Sequence, residues 1–192
     1  MARPGSKAPS GSFSGPSNMN IFVTVGFESF PFDRLIKFID EAVAREFSGA
    51  RLMIQTGNSK YIPRFCPSQQ FLRFDEVVNY INLADIVVSH AGVGTTLLAL
   101  KAGKIPILFP RRAEYGEHID NHQLDFARKM EELKKVLVAY EPSELLIKIR
   151  KYGCLVKELL SDFGGQASGS LKEYLQQYLE EIARRQERLK NL

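Results

Sequence analysis

Apolar positions along this chain alternate between two rhythms. Short runs rich in Val, Ile and Phe stand at residues 20–25 (NIFVTV), 51–56 (RLMIQT), 86–89 (IVVS), 105–109 (IPILF) and 136–139 (VLVA), with a weaker run at 70–74. Runs this short, with little polar alternation, read as strands covered on both faces. Between them apolar residues recur every three or four positions, over 32–47, 76–83, 95–102, 122–134 and 144–152, which predicts helices packed by one stripe. Gly26, Gly57-Asn58, Gly103 and Pro110 punctuate the elements, and Asp75 stands where an N-cap is wanted for the helix over 76–83. Strands alternating with helices predict an α/β fold, a Rossmann-like parallel sheet with helices on both faces. Right-handed crossovers then carry the loops after Val25, Ser89 and Phe109 to the carboxyl edge of the sheet, where such folds bind ligands.

The pattern divides the chain into a domain over 20–160, a leader over 1–19 and a last helix over 170–192. The leader is rich in Ser, Pro and Gly, lacks the apolar stretch of a secretory signal and is expected to be disordered, with Met19 a candidate start. In the last segment Leu171, Tyr174, Leu175, Tyr178, Leu179, Ile182 and Ala183 share one helical face, which either folds back on the domain or docks a partner chain.

Composition narrows the classes. No run of eighteen apolar residues occurs, so no membrane-spanning helix is expected and membrane contact is peripheral or through a partner. Two cysteines, Cys66 and Cys154, make no disulfide framework and no metal-ligand spacing, which points to a reduced, cytosolic setting. The net charge of +4 is not massed on one stripe, and no nucleic-acid-binding module is visible, so nucleic acid is not an expected partner. An anionic ligand or an anionic membrane surface suits the charge as well or better.

The chemistry concentrates in His90-Ala91-Gly92-Val93-Gly94-Thr95-Thr96 and in Asp120-Asn121-His122-Gln123. A glycine-rich turn between a buried strand and a helix brings backbone N–H groups close to a diphosphate at a helix terminus that favours anions. His90 is either a satisfied buried imidazole or a donor to a phosphate oxygen. Thr95 and Thr96 are helix caps whose hydroxyls also suit phosphate, and Gly26 is the companion turn after the first strand. Gln123 offers an amide that both donates to and accepts from sugar hydroxyls. The loop 111–118 is a solvated connection or a mobile lid in which Arg111 or Arg112 meets a phosphate or an acidic sugar. There is no serine nucleophile elbow, no zinc-binding His-Glu helix, no Cys/His cluster and no Walker A lysine, so no metal site and no nucleotide hydrolysis of the Walker kind is expected.

These segments together resemble the glycosyltransferase family 28 C-terminal domain, the donor-binding half of a GT-B enzyme. The likeness is carried by VTVG at 23–26, FDEVV at 74–78, ADIVVSHAGVGTT at 84–96, AGKIPILFPRR at 102–112 and GEHIDNHQL at 116–124. It is strongest to split two-subunit transferases, including the cytosolic subunit of the dolichol-linked N-acetylglucosaminyltransferase and, for the PRR and GEH segments, bacterial exopolysaccharide glucuronosyl- or galactosyltransferases. The resemblance implies that Gly26 and the turn of His90, Gly92, Val93, Gly94, Thr95 and Thr96 hold a UDP diphosphate. It places backbone at Phe74 and Val77 near the uracil, and Gln123, Asn121, Glu117 and His118 at the donor sugar. It further implies inversion by direct displacement without a metal or other cofactor, and a lipid-linked saccharide acceptor. The acceptor-binding half and the catalytic base would belong to a membrane-associated partner subunit that draws this chain to the inner membrane face. One position departs from the pattern. Many relatives carry a ribose-binding glutamate six residues after the first glycine of the turn, where this chain has Leu98. That departure suits an alternative, a non-catalytic sugar-nucleotide-binding subunit that activates a partner. A sugar-nucleotide epimerase would need both GT-B halves.

Overall fold

The computed structural model describes residues 19–161 together with Glu180 and Arg184. Six strands, β1 (Asn20–Thr24), β2 (Arg51–Gln55), β3 (Ser68–Gln69), β4 (Ile86–Ser89), β5 (Ile107–Leu108) and β6 (Leu137–Val138), form one sheet in the order β3-β2-β1-β4-β5-β6. Every pairing is parallel. Strand order reverses between β1 and β4, the topological switch point at whose carboxyl ends open α/β sheets hold ligands.

Alternation along the strands splits the core between two faces. Ile21, Val23, Ile54, Ile86 and Val88 pack with Leu35, Ile36, Leu145 and Ile149 on one side. Phe22 and Val87 pack with Val77, Ile81 and Ala99 on the other. The helices that cover these faces are α1 (Asp33–Phe38), α2 (Ala44–Glu46), α3 (Phe74–Leu83), α4 (Val93–Lys101), α5 (His122–Glu132), α6 (Pro142–Arg150) and α7 (Tyr152–Ser161).

The expected α/β alternation is present, with five local differences. The helix expected over 32–47 is interrupted by a π-helical turn at Ile39–Val43. There the buried Asp40 accepts hydrogen bonds from the amides of Arg64, Phe65 and Cys66 and from the Tyr61 hydroxyl. Burial alone would raise this carboxyl's pKa; the four donors outweigh it and hold it below the ordinary value. Asp40 thus fastens the 61–66 connection to the body. The third strand is not 70–74 but Ser68–Gln69, pairing with Ile54 and Gln55. Beyond it the backbone turns away and Phe74 becomes the first residue of α3. The N-cap of α3 is Arg73 rather than Asp75, and the Glu76 carboxylate accepts the Arg73 amide at 2.8 Å. Helix α4 starts two residues earlier than expected, taking Val93 and Gly94 into its first turn. The last expected helix is displaced to Pro142–Arg150 and followed by α7, whose Tyr152 donates to the Ile105 carbonyl at 2.8 Å. The leader and the 170–192 helix lie outside the described residues, apart from an Arg184–Glu180 ion pair.

Candidate functional site

Three adjacent strands end on polar residues in register, Thr24 on β1, Gln55 on β2 and Ser89 on β4. All three are buried. The Thr24 hydroxyl donates to Gln55 Oε1 at 2.7 Å and accepts the Gly26 amide at 3.2 Å. Gln55 Nε2 and Ser89 Oγ are buried without a hydrogen-bond partner among the described residues. This polar row went unnoticed in the sequence. Its signal is a polar residue at or next to the end of each of these apolar runs.

Above the row the chain makes two turns. Gly26 has φ 71° and Ala91 φ 63°, so both occupy the left-handed region. The His90 ring lies between the turns: a Cβ built on Gly26 would come within 2.5 Å of its Cε1, and one on Gly92 would collide with its Nε2. Gly26 and Gly92 are therefore glycines because the imidazole fills the slot between them, the first also because of its backbone angle. His90 is buried, and its Nδ1 lies 3.4 Å from the Thr24 carbonyl. Burial first, then the charge of Arg111, drives its pKa down to about 3, against the pull of that carbonyl. The ring is neutral near pH 7. In the tautomer that donates Nδ1–H to Thr24, its proton serves the protein's own backbone and the ring acts as a wedge that sets the turn.

Helix α4 springs from this turn with Gly92 as N-cap, and no side chain caps it. The amides of Val93, Gly94 and Thr95 have no intrahelical acceptor by helix geometry. The Thr96 hydroxyl, buried, donates back to the Gly92 carbonyl at 2.8 Å. Gly94 differs from the other two glycines, since a Cβ there would meet nothing within 4 Å. Backbone donors thus face outward here, while the Thr96 side chain stitches the turn from inside.

The loop 111–118, read as a solvated connection or a lid, is packed against the body through its charged side chains. Arg111 is fully buried and donates to the carbonyls of Val25, Phe30, Pro31 and Glu117, with its guanidinium 4.6 Å from the Phe32 ring centroid. Burial lowers its pKa to about 10, so it stays charged. Arg112 donates to the Tyr140 carbonyl and pairs with Glu141 at 2.9 Å. Glu117, also buried, forms a two-pronged pair with Arg34 at 2.8 Å on each arm and accepts the Arg112 amide at 3.0 Å. Neither arginine is turned toward a donor, and the carboxylate of Glu117 is engaged within the protein. Arg111 and Arg34 stack on the apolar floor of Phe32 and Phe109, respectively, and Arg112 lies over the Tyr115 ring at 5.5 Å.

The same segment ends at α5. Asn121 Oδ1 accepts the Ala113 amide at 2.9 Å, closing the loop upon itself. His118, Asp120 and His122 gather so that one donor atom from each lies within 4.8 Å of the others. Gln123, in the first turn of α5, is buried and its Oε1 has no hydrogen-bond partner among the described residues. Leaving a buried acceptor unpaired costs about 1–3 kcal/mol, so the position asks for a donor from beyond the described residues. Farther along the edge, Phe74 is exposed at the start of α3, whereas Val77 is packed into the core beside Phe22 and Leu72. Leu98 packs against that same cluster and leaves no carboxylate there. Gly26, His90 and Gly92 are thus brought into contact, Arg111 ties the Val25 carbonyl to the Glu117 carbonyl beside them, and Phe74 stands apart.

Residues 20–152 match the glycosyltransferase family 28 C-terminal domain. The chain is 34% identical over 120 residues to the human UDP-N-acetylglucosamine transferase subunit ALG13, a stretch covering 57% of this chain and 10% of that protein. It is 27% identical over 134 residues to the protein of the same name from Yarrowia lipolytica, covering 64% of this chain and 66% of that one. Among solved structures, the glycosyltransferase SnogD from Streptomyces nogalater superposes with a TM-score of 0.51 at 19% identity, over 83% of this chain and 42% of its own. The calicheamicin glycosyltransferase CalG4 does so with a TM-score of 0.51 at 15% identity, over 94% and 47%. In both, the chain spans less than half the length, as one half of a GT-B architecture does. By its sheet, its turn and the match across its described body, the chain belongs to the glycosyltransferase family 28 C-terminal domain family.

Proposed function

We propose that this chain is the UDP-sugar-binding subunit of a two-component inverting glycosyltransferase acting on a lipid-linked saccharide acceptor, as in exopolysaccharide assembly. Gln123 carries the reading. Its buried, unpartnered Oε1 accepts a hydrogen bond, and a sugar hydroxyl beside the helix α4 turn supplies one. The diphosphate lies over the first turn of α4, where the amides of Val93, Gly94 and Thr95 and the helix dipole stabilise negative charge.

In the transfer, an acceptor hydroxyl attacks the anomeric carbon from the face opposite the diphosphate, and the bond from that carbon to the diphosphate oxygen breaks. The UDP leaves with the electron pair, held by the α4 amides, whose worth grows as that charge develops. The hydroxyl proton goes to a base assigned to the partner half. That partner, membrane-associated, keeps this chain at the cytosolic membrane face; no helix among the described residues is long and apolar enough to cross a bilayer itself. Both curated relatives are named as subunits of a UDP-N-acetylglucosamine transferase, which supports the two-component reading. With Arg111 and Arg112 turned inward, a uronic acid has no cation here, and a neutral sugar such as N-acetylglucosamine is the better donor.

Titration of the chain with UDP-N-acetylglucosamine, UDP-galactose and UDP-glucuronate tests this, followed by transfer assays with and without the co-expressed partner. Binding that Gln123→Leu weakens by tenfold or more, with turnover only when the partner is present, is expected. Binding without turnover in the presence of partner would instead support the non-catalytic reading, which Leu98 favours by removing the ribose carboxylate.

A further inference from the structure

We propose that His118, Asp120 and His122 form a binding site for a divalent transition ion, Zn²⁺ by its ligand set, at the start of α5. The three lie within five residues as His-x-Asp-x-His, and their donor atoms converge. His118 Nδ1 is 3.3 Å from Asp120 Oδ1. Two ligands of a tetrahedral ion with bonds of about 2.0–2.1 Å stand about 3.4 Å apart, so this spacing is that of a bridged pair. His122 Nδ1 is turned onto the same carboxylate oxygen.

The surroundings are those of an ion site and not only of a helix cap. Asp120 precedes Asn121, the N-cap of α5, and its Oδ1 accepts the His122 amide at 3.1 Å as a capping carboxylate does. A cap needs one carboxylate and no imidazole, yet two imidazole Nδ1 atoms face it. His118 is buried, held edge-on to the His122 ring at 4.5 Å and against Phe30 at 5.6 Å, which fixes its direction. Its Nδ1 accepts the Asp120 amide at a long 3.4 Å, so the lone pair points into the cluster. On the far side of the ring, Glu28 Oε2 stands 3.8 Å from Nε2, beyond hydrogen-bond distance but close enough for its negative charge to favour a cation at the cluster. Glu28 and Asp120 together balance a double positive charge, and Asp120 offsets the positive end of α5. About a quarter of the Asp120 and His122 side chains is exposed, which gives an ion its way in. The Asp120 carboxylate and two neutral imidazoles are borderline ligands, suited to Zn²⁺ and less to Mg²⁺ or Ca²⁺.

The test uses the full, tag-free chain in chelator-treated buffer, titrated with Zn²⁺ against a competing indicator and, separately, with Co²⁺ followed by its visible absorption. One equivalent per chain is expected, with tetrahedral Co²⁺ bands that Mg²⁺ does not displace. His122→Ala and Asp120→Asn should each weaken Zn²⁺ by about 100-fold or more, and Glu28→Gln by less than either, since it removes only a nearby negative charge. His118→Ala opens a void beside Phe30; if it does not fold, the partly exposed His122→Ala carries the test, its folding checked by thermal melting. Zn²⁺ affinity or Co²⁺ spectra unchanged in folded His122→Ala, or no binding by the parent chain, would overturn the site. These readouts do not involve the sugar nucleotide, so the outcome stands apart from the transferase reading.

Discussion

The turn at 90–96 and the segment at 111–123 follow neighbouring strands, β4 and β5, and are held in shape by opposite means. In the first, the backbone does the shaping: Ala91 is left-handed, and the neutral His90 ring is wedged between Gly92 and the left-handed Gly26 of the neighbouring turn after β1. What it presents outward is backbone amide. In the second, charged side chains are folded inward, with Arg111 on four carbonyls and Glu117 between Arg34 and the Arg112 amide. At its end lies the buried Gln123, whose Oε1 has no hydrogen-bond partner among the described residues. Side chains that look like ligand-binding groups hold up the second region, and a ring that looks like a phosphate donor holds up the first.

Breaking the second region should cost most. Arg111→Met leaves up to four carbonyls short of a donor and removes a buried charge from its ring, and is expected to destabilise the domain by about 3–5 kcal/mol, read from urea midpoints. Arg111→Lys should recover little of this, because an ammonium cannot span carbonyls from such separate segments. Recovery to near-parent stability would show that charge alone, not the guanidinium fork, organises the segment.

In the first region, Gly26→Ala should cost about 2–4 kcal/mol, combining the penalty of a left-handed alanine with displacement of the His90 ring. Gly94→Ala sharpens the contrast. A methyl there meets nothing, so stability should stay within about 1 kcal/mol of the parent or rise. UDP affinity should nevertheless fall, because the methyl stands over the amides assigned to the diphosphate. Unaltered UDP affinity in this variant would remove the α4 turn from the donor site.

Acid should weaken the first region through His90. Its folded pKa of about 3 lies below the ordinary 6.5, so the unfolded chain takes up the proton first. The stability this contributes is complete above pH 6.5 and is lost as pH falls toward 3, at up to about 1.4 kcal/mol per unit. His90→Gln should flatten that slope between pH 6.5 and 4.5; an equally steep profile would mean that the ring is not held neutral. The smallest effect on the fold belongs to Gln123→Leu, within about 1 kcal/mol of the parent, since the acceptor removed has no partner. Its effect should appear in donor binding alone.

The apolar runs at 20–25, 51–56 and 86–89 were readable because a strand buried on both faces tolerates few polar residues. Their ends were readable too, but the in-register row of Thr24, Gln55 and Ser89 emerges only when β1 is flanked by β2 and β4. The π-helical turn at Ile39–Val43 has no periodic signature strong enough to stand out, since it follows from Asp40 meeting amides more than twenty residues away. The third strand was misplaced by several residues because two residues of pairing leave almost no pattern, while the apolar Phe71, Leu72 and Phe74 beside them do. Arg111 and Arg112 read as ligand groups because a sequence gives charge and not direction. The course of Arg111 is set by the Phe32 ring and four backbone carbonyls, and that of Arg112 by the Tyr140 carbonyl and Glu141, partners that arrive from different elements.

By itself, then, the sequence determined the alternation of strand and helix, the family, and the two segments where chemistry gathers, because each depends on residues near one another along the chain. Only the tertiary structure decided what individual side chains in those segments do. It wedged the His90 ring between Gly26 and Gly92, folded the Arg111 guanidinium onto four carbonyls, and left the buried Gln123 Oε1 without a partner among the described residues. Those outcomes depend on which carbonyls, rings and charges the fold brings together across tens of residues, and burial decides whether a polar group meets its own protein or a ligand.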